Sequence, residues 1–360
     1  MKKSLKKVLV IQTAFPGDLV LATPLLESIK KMDEMTHLAL VTIPKNASLF
    51  ENSPFVDDLL LYDKSGAEKG IIPFLRLVMR VRREKYDIAF IPHPSLRSAL
   101  LARFGGVGKR IGFAGRWCSL LYTKSVDADG LSHEVERNLR LLESLGGIDK
   151  RAKPRLFPSE ADSSLVTEML KSAAIDAKKP FIAIAPGSNW PTKAWPIDRY
   201  RRLIEILSAE YPIVLVGGGE DKEFCESLAD MKDRRWANPV VSSAGGANLI
   251  QSAVMISRAR LLISGDSAPL HLASAMGTPV VVIYGPTVPE FGFYPYGVPY
   301  RIVQKELPCR PCSIHGPREC PQDHFSCMRD IDEKEVYDAA VRLIEETEEE
   351  QRGTVDEARQ

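Results

Sequence analysis

The sequence predicts an α/β fold with two doubly wound domains, each built on a parallel sheet. Its 360 residues exceed what one hydrophobic core usually organises. Short apolar runs alternate with segments of helical periodicity, which is typical of βαβ units. This alternation stops at a polar stretch punctuated by prolines, residues 153–158, and then begins again. We therefore expect two similar halves that face a central cleft.

The predicted elements follow the two series in order. In the first half, strands are expected at 8–11, 37–42, 58–62 and 87–91, and helices at 19–31, 71–83, 95–104 and 134–145. In the second half, strands are expected at 181–185, 213–217, 261–264 and 280–284, and helices at 197–209, 222–229, 247–257, 269–276 and 332–350. The segment 306–327 has no clear periodicity. The predicted domains are 1–155 and 156–345, followed by an acidic tail over 346–360.

Composition excludes several classes of protein. Hydrophobic residues make up 44% of the chain, charged residues 26%, and the formal net charge is +1, which is typical of a soluble globular protein and argues against a nucleic-acid binder. No window approaches the roughly 18 consecutive apolar residues of a membrane-spanning helix, so any membrane contact is expected to be peripheral. A basic start could touch an anionic surface or simply be solvated; its lysines are Lys2, Lys3, Lys6 and Lys7. The cysteine pattern indicates no disulfide framework, which fits a cytoplasmic protein.

The first motif, Pro16-Gly17-Asp18-Leu19, directly follows the first predicted strand. Ligands of open α/β sheets bind beyond the carboxyl ends of the strands, so Asp18 is placed where a cleft should be. Its carboxylate could accept a proton from a hydroxyl group. The alternative is that Asp18 only caps the helix that follows, since Asp is a favoured N-cap residue.

The second motif, residues 185–196, also follows a strand and concentrates hydroxyl, amide and ammonium donors on a loop shaped by glycine and proline. Such donors suit a diphosphate, and Lys193 could act as a point charge on it. In the third motif, three glycines, Gly217 to Gly219, precede Glu220, whose carboxylate could bond a ribose diol. The spacing is not G-x-G-x-x-G, so an oxidoreductase is not supported.

The fourth motif, residues 264–279, is the most specific. Ser267 is a good N-cap, Pro269 is tolerated in a first helical turn, and Gly277 suits the end of a helix, so a short helix is expected between them. The N-terminus of that helix would offer free N–H groups and a positive dipole end to a diphosphate. His271 lies one turn inside and is either a phosphate contact or a core histidine.

Together these motifs, closing on Tyr284-Gly285-Pro286-Thr287, resemble glycosyltransferase family 9, the ADP-heptose:lipopolysaccharide heptosyltransferases, in a form similar to heptosyltransferase II. The resemblance spans both halves in order. It implies a GT-B fold of two Rossmann-like domains, with the acceptor on the first domain and an ADP-sugar on the second. It implies inversion at the anomeric carbon without a metal or other cofactor. The acceptor implied is a lipopolysaccharide core of the lipid A–Kdo type, reached at the inner face of the inner membrane.

The resemblance also implies roles for individual residues. Asp18 would be the general base and Lys193 would stabilise the leaving group. The residues implied in donor binding are Ser188, Asn189, Lys193, Glu220, Asp266, Ser267, Ala268, Pro269 and His271. The stretch Ser267-Ala268-Pro269 departs from the family's Ser/Thr-Gly-Leu form, which leaves the donor sugar open.

Four of the six cysteines lie close together, with C-x₂-C-x₇-C-x₆-C spacing: Cys309, Cys312, Cys320 and Cys327. Four thiolates could close a structural zinc site, in which His315 or His324 could substitute. The alternatives are unligated thiols or a labile disulfide loop. A catalytic role is not expected, because no cysteine follows a strand with a base beside it.

Two other functions compete with heptose transfer. One is a GT-B epimerase or a transferase that uses another nucleotide sugar, such as a UDP-sugar. The other is a binding module for sugar nucleotides or metals that has lost catalysis, and the presence of Asp18 with Lys193 and Asp266 argues against it. The preference for ADP or UDP distinguishes the two enzymatic functions.

Overall fold

The protein is described by a computed structural model. The residues it describes are 6–64, 66, 69–115, 117–127, 133–146, 151–176, 178–230 and 236–357. Lys2 and Lys3, for which contact with an anionic surface and simple solvation were the two alternatives, lie outside them. Contacts between Cα atoms divide the chain into two units, Met1–Phe157 and Pro158–Gln360.

Unit 1 contains a six-stranded sheet in the order β3-β2-β1-β4-β5-β6, and every pair of neighbouring strands is parallel. Its strands are β1 (Lys7–Ile11), β2 (His37–Thr42), β3 (Asp58–Leu61), β4 (Ile88–Ile91), β5 (Lys109–Phe113) and β6 (Lys124–Val126). Its helices are α1 (Pro16–Val20), α2 (Thr23–Met32), α3 (Ile71–Glu84), α4 (Leu96–Phe104) and α5 (Glu134–Arg140).

The central strands of unit 1 are buried on both faces, which explains why they read as unbroken apolar runs. On one face, α3 and α4 pack through Val81 and Ala102 against Leu9, Ala39 and Ala89 of the sheet. Elsewhere in the unit, α5 contacts α2 and is tied to the end of α1, since Asn138 Nδ2 donates to Leu21 O at 3.3 Å. The sheet is thus held between two helical layers.

Unit 2 repeats this topology with the order β12-β11-β10-β7-β8-β9, again entirely parallel. Its strands are β7 (Ile182–Ala185), β8 (Ile213–Leu215), β9 (Val240–Ser242), β10 (Leu261–Gly265), β11 (Val280–Tyr284) and β12 (Tyr300–Gln304). Its helices are α6 (Glu160–Ser172), α7 (Ile197–Leu207), α8 (Lys222–Ala229), α9 (Leu249–Arg258), α10 (Ala268–Met276), α11 (Ser326–Arg329) and α12 (Glu333–Glu357). One face of the sheet packs against α7, α8 and α12.

The prediction of a single helix over 19–31 is wrong, because the structure has α1 and α2 there. Pro24 has no N–H to donate to Val20 O, and Thr23 Oγ1 donates to that carbonyl instead at 2.7 Å. The helix expected over 134–145 is likewise shorter, since α5 ends at Arg140 and a 3₁₀ turn follows.

Six elements were not predicted from the sequence: β5, β6, β9, β12, α6 and α11. The first four are short or partly polar strands. The start of α6 carries a capping box, in which Ser159 and Asp162 bond each other's backbone N–H groups. In addition, α12 continues to Glu357, beyond the expected start of the acidic tail. No helix in the described part of the chain is long and apolar enough to cross a membrane.

Candidate functional site

The loops that carry the second, third and fourth motifs meet at one edge of the unit 2 sheet. They follow β7, β8 and β10, whose parallel carboxyl ends are neighbours in the strand order. The order reverses between β7 and β10, and such a switch point is where open α/β sheets bind ligands. The predicted donor residues lie in these loops or on α10: Ser188, Asn189, Lys193, Glu220, Asp266, Ser267, Ala268, Pro269 and His271.

An ion pair joins the second and fourth motifs. Lys193 Nζ lies 2.6 Å from Asp266 Oδ2, and only 10% and 12% of the two side chains are exposed. Thr287, in the loop after β11, donates from Oγ1 to the same carboxylate oxygen at 2.8 Å. Three loops are therefore held together by one carboxylate. Thr287 could not be assigned a role of its own from the sequence, because this contact depends on how β10 and β11 pair.

Close backbone packing fixes the position of Lys193. A Cβ atom on Gly265 would lie 3.3 Å from Lys193 O, which is closer than most Cβ atoms come to a neighbouring atom. The glycine therefore allows the end of β10 to pack closely against the backbone of the Lys193 turn. Trp195, which is 1% exposed, anchors the other end of the loop. Its indole donates to Ile331 O at 3.3 Å and its ring meets Tyr200 edge-on. These contacts limit the freedom of the Lys193 ammonium group before any ligand binds.

The second and third motifs converge on Asp221. A Cβ atom on Gly187 would lie 2.1 Å from its carboxylate, and one on Gly217 would lie 2.7 Å from its Cβ. Asp221 Oδ2 also accepts from Gly218 N at 2.8 Å. The two glycines are therefore required by this packing, which the sequence did not reveal. Glu220, the predicted ribose ligand, is exposed on the same turn.

The bracketed helix of the fourth motif is confirmed as α10. Ser267 is its N-cap, Pro269 lies in its first turn, and Gly277 ends it with a left-handed φ of 79°. The Ser267 hydroxyl makes no capping bond and lies 3.3 Å from Ser264 Oγ. His271 is only 4% exposed and its ring packs edge-on against Phe293. That burial agrees with the core-histidine alternative, and a phosphate contact of His271 stays a prediction.

Asp18 lies in the first turn of α1, beyond the carboxyl end of β1. The N-cap of this helix is Phe15, so the alternative that Asp18 is the capping residue is wrong. The strand order of unit 1 reverses between β1 and β4, which places Asp18 at the corresponding switch point of its own sheet. Its role as a base stays a prediction.

Glu134, the first residue of α5, is a buried acid near Asp18 that the sequence did not single out. It is 5% exposed, and Arg137 Nη1 lies 2.8 Å from its Oε2. The Arg137 guanidinium in turn stacks over the Phe113 ring, 5.0 Å from its centroid. Burial raises the pKa of Glu134 to about 7, while the positive charge of Arg137 opposes the rise and the negative charge of Asp18 adds to it.

The expected structural zinc site finds no support in the structure. All six cysteines are free, and no group of three or more His, Cys, Asp or Glu side chains in the described residues is arranged to hold a metal ion. Cys309 Sγ lies 3.8 Å from His324 Nε2, whereas Cys327 is buried in the core of unit 2. Burial raises the pKa of the Cys327 thiol to about 11, so it is protonated at neutral pH.

Instead, the segment 309–320 packs on the loops that carry Lys193 and Thr287. Cys312 N donates to Pro286 O at 2.9 Å, and Thr192 Oγ1 donates to Pro317 O. His315 stacks on Trp190, with the rings 9° from parallel and their centroids 6.1 Å apart. The cysteine segment is therefore a structural wall of the same site, and not a separate module.

Comparison with known proteins gives a consistent result. The model of glycosyltransferase family 9 (heptosyltransferase) matches residues 74–321. Lipopolysaccharide heptosyltransferase 2 of Salmonella typhimurium is 26% identical over 300 residues, which cover 79% of this chain and 84% of the relative. Lipooligosaccharide heptosyltransferase 2 of Haemophilus ducreyi is 25% identical over 297 residues, 79% of this chain and 85% of the relative.

Solved structures confirm the fold class. A glycosyl transferase family 9 protein from Veillonella parvula superposes with a TM-score of 0.85 at 24% identity, covering 96% of this chain and 99% of that one. The Escherichia coli ADP-heptose LPS heptosyltransferase II gives a TM-score of 0.77 at 22% identity, covering 95% and 99%. The predicted GT-B class, with two Rossmann-like units, is therefore correct.

The substitution Gly316→Ala tests the wall formed by the cysteine segment. Gly316 has a φ of 79°, and an added Cβ would lie 3.1 Å from Pro286 and 3.4 Å from the Lys193 side chain. We expect a loss of about 1 kcal/mol in stability from the backbone conformation and at least about threefold weaker binding of ADP, the nucleotide implied by the resemblance. Calorimetric titration measures the affinity. Gly146→Ala is the control, because Gly146 has a φ of 81° with nothing within 4 Å; equal ADP affinities for the two variants would contradict the contact.

The substitution Glu134→Gln tests the raised pKa. The folded protein holds the Glu134 proton up to about pH 7, whereas an unperturbed glutamate carboxyl group has a pKa of 4.5. Wild-type stability therefore falls as pH rises through that window. Glutamine does not titrate, so the variant should not lose stability in this way. Between about pH 5 and pH 8, we expect the free energy of unfolding of Glu134→Gln to rise relative to that of wild type by up to about 3 kcal/mol. Urea unfolding at both pH values checks this, with the exposed neighbour Glu136→Gln as control; a difference from wild type that does not change with pH would contradict it.

Proposed function

This chain belongs to glycosyltransferase family 9 and is a glycosyltransferase, and from that premise we propose that it transfers a heptose from ADP-L-glycero-D-manno-heptose to the lipopolysaccharide inner core. Unit 2 holds the donor in this proposal, and unit 1 holds the acceptor. The relatives named for lipopolysaccharide and lipooligosaccharide heptosyltransferase 2 support the heptose and the acceptor, and the name of the Escherichia coli structure includes ADP-heptose.

The observation that carries the proposal is the cluster of Lys193, Asp266 and Thr287 at the switch point of unit 2. The Lys193 ammonium is largely withdrawn from water and is held by one carboxylate. A diphosphate bears more negative charge than that carboxylate, and it therefore competes for the ammonium group. Asp266 is held by Thr287 as well, so it keeps a hydrogen-bond donor when Lys193 turns to the phosphates.

Further donor contacts are proposed around this cluster. Ser188 and Asn189 offer hydroxyl and amide groups from the loop after β7. The start of α10 at Ser267, Ala268 and Pro269 offers the positive end of a helix dipole. Glu220 binds the ribose diol from its exposed turn. His271 is proposed to support the phosphates from inside α10.

The chemical step is proposed to be a direct displacement. Asp18 accepts the proton of an acceptor hydroxyl as its oxygen attacks the anomeric carbon, while the bond from that carbon to the ADP oxygen breaks. Attack from the side opposite to ADP inverts the anomeric configuration. Lys193 and the α10 N-terminus stabilise the charge that develops on the departing diphosphate, so the step requires no cofactor.

The proposed acceptor, a core of the lipid A–Kdo type, is anchored in a membrane by its acyl chains. The enzyme is therefore proposed to work in the cytoplasm, in peripheral contact with the inner face of the inner membrane. Such contact needs exposed apolar and cationic side chains and no spanning helix.

The substitution Asp18→Asn tests the proposed base. An amide cannot accept the hydroxyl proton, so we expect transfer to fall by about 10² to 10⁴. The affinity for ADP should stay within about twofold, because Asp18 belongs to unit 1. Turnover with ADP-heptose and calorimetric titration of ADP measure the two effects. Asp33→Asn in the same unit is the control, and near-full turnover of Asp18→Asn would remove Asp18 from the chemistry.

The substitution Lys193→Ala tests the donor site. It removes the cation that binds the diphosphate, so ADP affinity should fall by at least about tenfold. It also leaves the largely buried Asp266 carboxylate without its ion-pair partner, so stability should fall by about 3 kcal/mol. Lys193→Arg should recover part of both, and Lys171→Ala, an exposed lysine of unit 2, should change neither. Unchanged ADP affinity in Lys193→Ala would refute the proposed site.

The nucleotide of the donor is tested by thermal unfolding of the wild-type protein. ADP should raise the melting temperature more than UDP does, because a ligand that binds only the folded protein stabilises it. A larger rise with UDP would refute the proposed donor.

A further inference from the structure

Helix α3 exposes an apolar stripe on the outside of unit 1. The residues of this stripe, with their exposed fractions, are Ile71 at 73%, Ile72 at 62%, Leu75 at 51% and Met79 at 50%. A second side of the same helix supplies Leu77, Val78 and Val81 to the core. The helix is therefore apolar on two sides and only one of them is covered, so the α3 stripe is available for a partner.

Cations surround the α3 stripe. Arg76, Arg80, Arg82 and Arg83 are all exposed on the same helix. The neighbouring helix α4 adds Arg97 and Arg103, together with Leu96 and Phe104, which are 57% and 54% exposed. The acidic residue of the two helices is Glu84, which is paired with Lys7 at 2.8 Å.

This charge is a local feature. The whole chain has 48 basic and 47 acidic residues, whereas α3 and α4 carry six arginines and one glutamate. The two helices contact each other on one face of the sheet, so their exposed sides form a continuous surface. Their first turns follow β3 and β4, at the edge of the sheet where Asp18 follows β1.

We propose that the exposed sides of α3 and α4 dock unit 1 onto an anionic phospholipid bilayer. The inference rests on the proposed function in one respect: an enzyme that acts on a lipid-anchored acceptor meets that acceptor at the bilayer surface. The apolar tips of the α3 stripe enter the boundary of the acyl chains, while the arginines reach the phosphates through their long stems. The bilayer surface has a negative potential that matches the excess of arginine.

The same charges disfavour a second copy of the chain as the occupant. A symmetric dimer would bring the same patch of both subunits together. Six arginines would then face six arginines, and like charges across an interface are strongly unfavourable. An anionic surface has no such penalty, because it neutralises the arginines on α3 and α4.

Co-sedimentation of the full-length protein with vesicles tests the proposal. We expect binding to vesicles of phosphatidylethanolamine and phosphatidylglycerol, weak binding to phosphatidylcholine alone, and a loss of binding as salt is raised. Leu75→Ser with Met79→Ser should weaken binding to anionic vesicles by at least about tenfold, and so should Arg76→Gln with Arg80→Gln. Leu165→Ser with Ile206→Ser is the matched control, because these exposed apolar residues belong to unit 2; its binding should equal that of wild type.

Three results would overturn the docking surface: no binding to anionic vesicles, equal binding to phosphatidylcholine, or unchanged binding of the α3 variants. A dimer in sedimentation equilibrium that the α3 variants dissociate, without vesicle binding, would assign the surface to a second copy instead. Circular dichroism checks that each variant is folded.

Transfer from ADP-heptose to a deacylated, water-soluble acceptor separates this proposal from the proposed function. The α3 variants should keep wild-type rates in that assay, since none of the altered residues is placed in the site. Transfer without vesicle binding would overturn the docking surface alone. Vesicle binding without transfer would support the docking surface and overturn the proposed function.

Discussion

The fold depends on strands that are buried on both faces of two parallel sheets. The buried positions of such strands are filled by apolar side chains, mainly Val, Ile, Leu and Ala, as β1, β4 and β7 show. Polar chemistry is therefore confined to the loops at the strand ends. Because all strands of a sheet run in the same direction, the loops at their carboxyl ends lie along one edge, and Lys193, Asp266 and Thr287 meet there. The sheet topology, more than any single motif, therefore determines where the site lies.

The same constraint explains what the sequence could predict. Buried strands are unbroken apolar runs, so their places and the reactive loops after them were visible. Strands at the margins were not: β12 is largely half-exposed and contains Arg301, and β6 and β9 have three residues each. The break between α1 and α2 had a signal that the prediction overlooked, since Pro24 would be an interior residue of a helix over 19–31 but lies in the first turn of α2.

Contacts made by backbone or by distant side chains were beyond sequence reasoning. Gly187 and Gly217 are needed because Asp221 lies against both, and nothing in the spacing of the three residues shows this. From its thiol spacing, the cysteine segment was open to interpretation as a metal clip, as unligated thiols or as a disulfide loop. Its main contacts to the Lys193 loop are made instead by carbonyls, a threonine hydroxyl and a ring stack, none of which has a sequence signature. Similarly, Glu134 is an ordinary helix residue until its burial near Asp18 is known.

The net charge of the chain does not reveal the distribution of charges that matters for mechanism. A balance of +1 rules against binding through bulk charge. Within it, Lys193 is neutralised at short range by Asp266, which keeps this cation in a semi-buried site at a tolerable desolvation cost. The arginines of α3 and α4 have no comparable set of acids on their own helices, and they remain in water. A cation that is paired and buried is fixed for one ligand, whereas a group of solvated cations beside apolar side chains is suited to an extended anionic surface. The same residue types thus serve different purposes in the two units, and burial is the property that separates them.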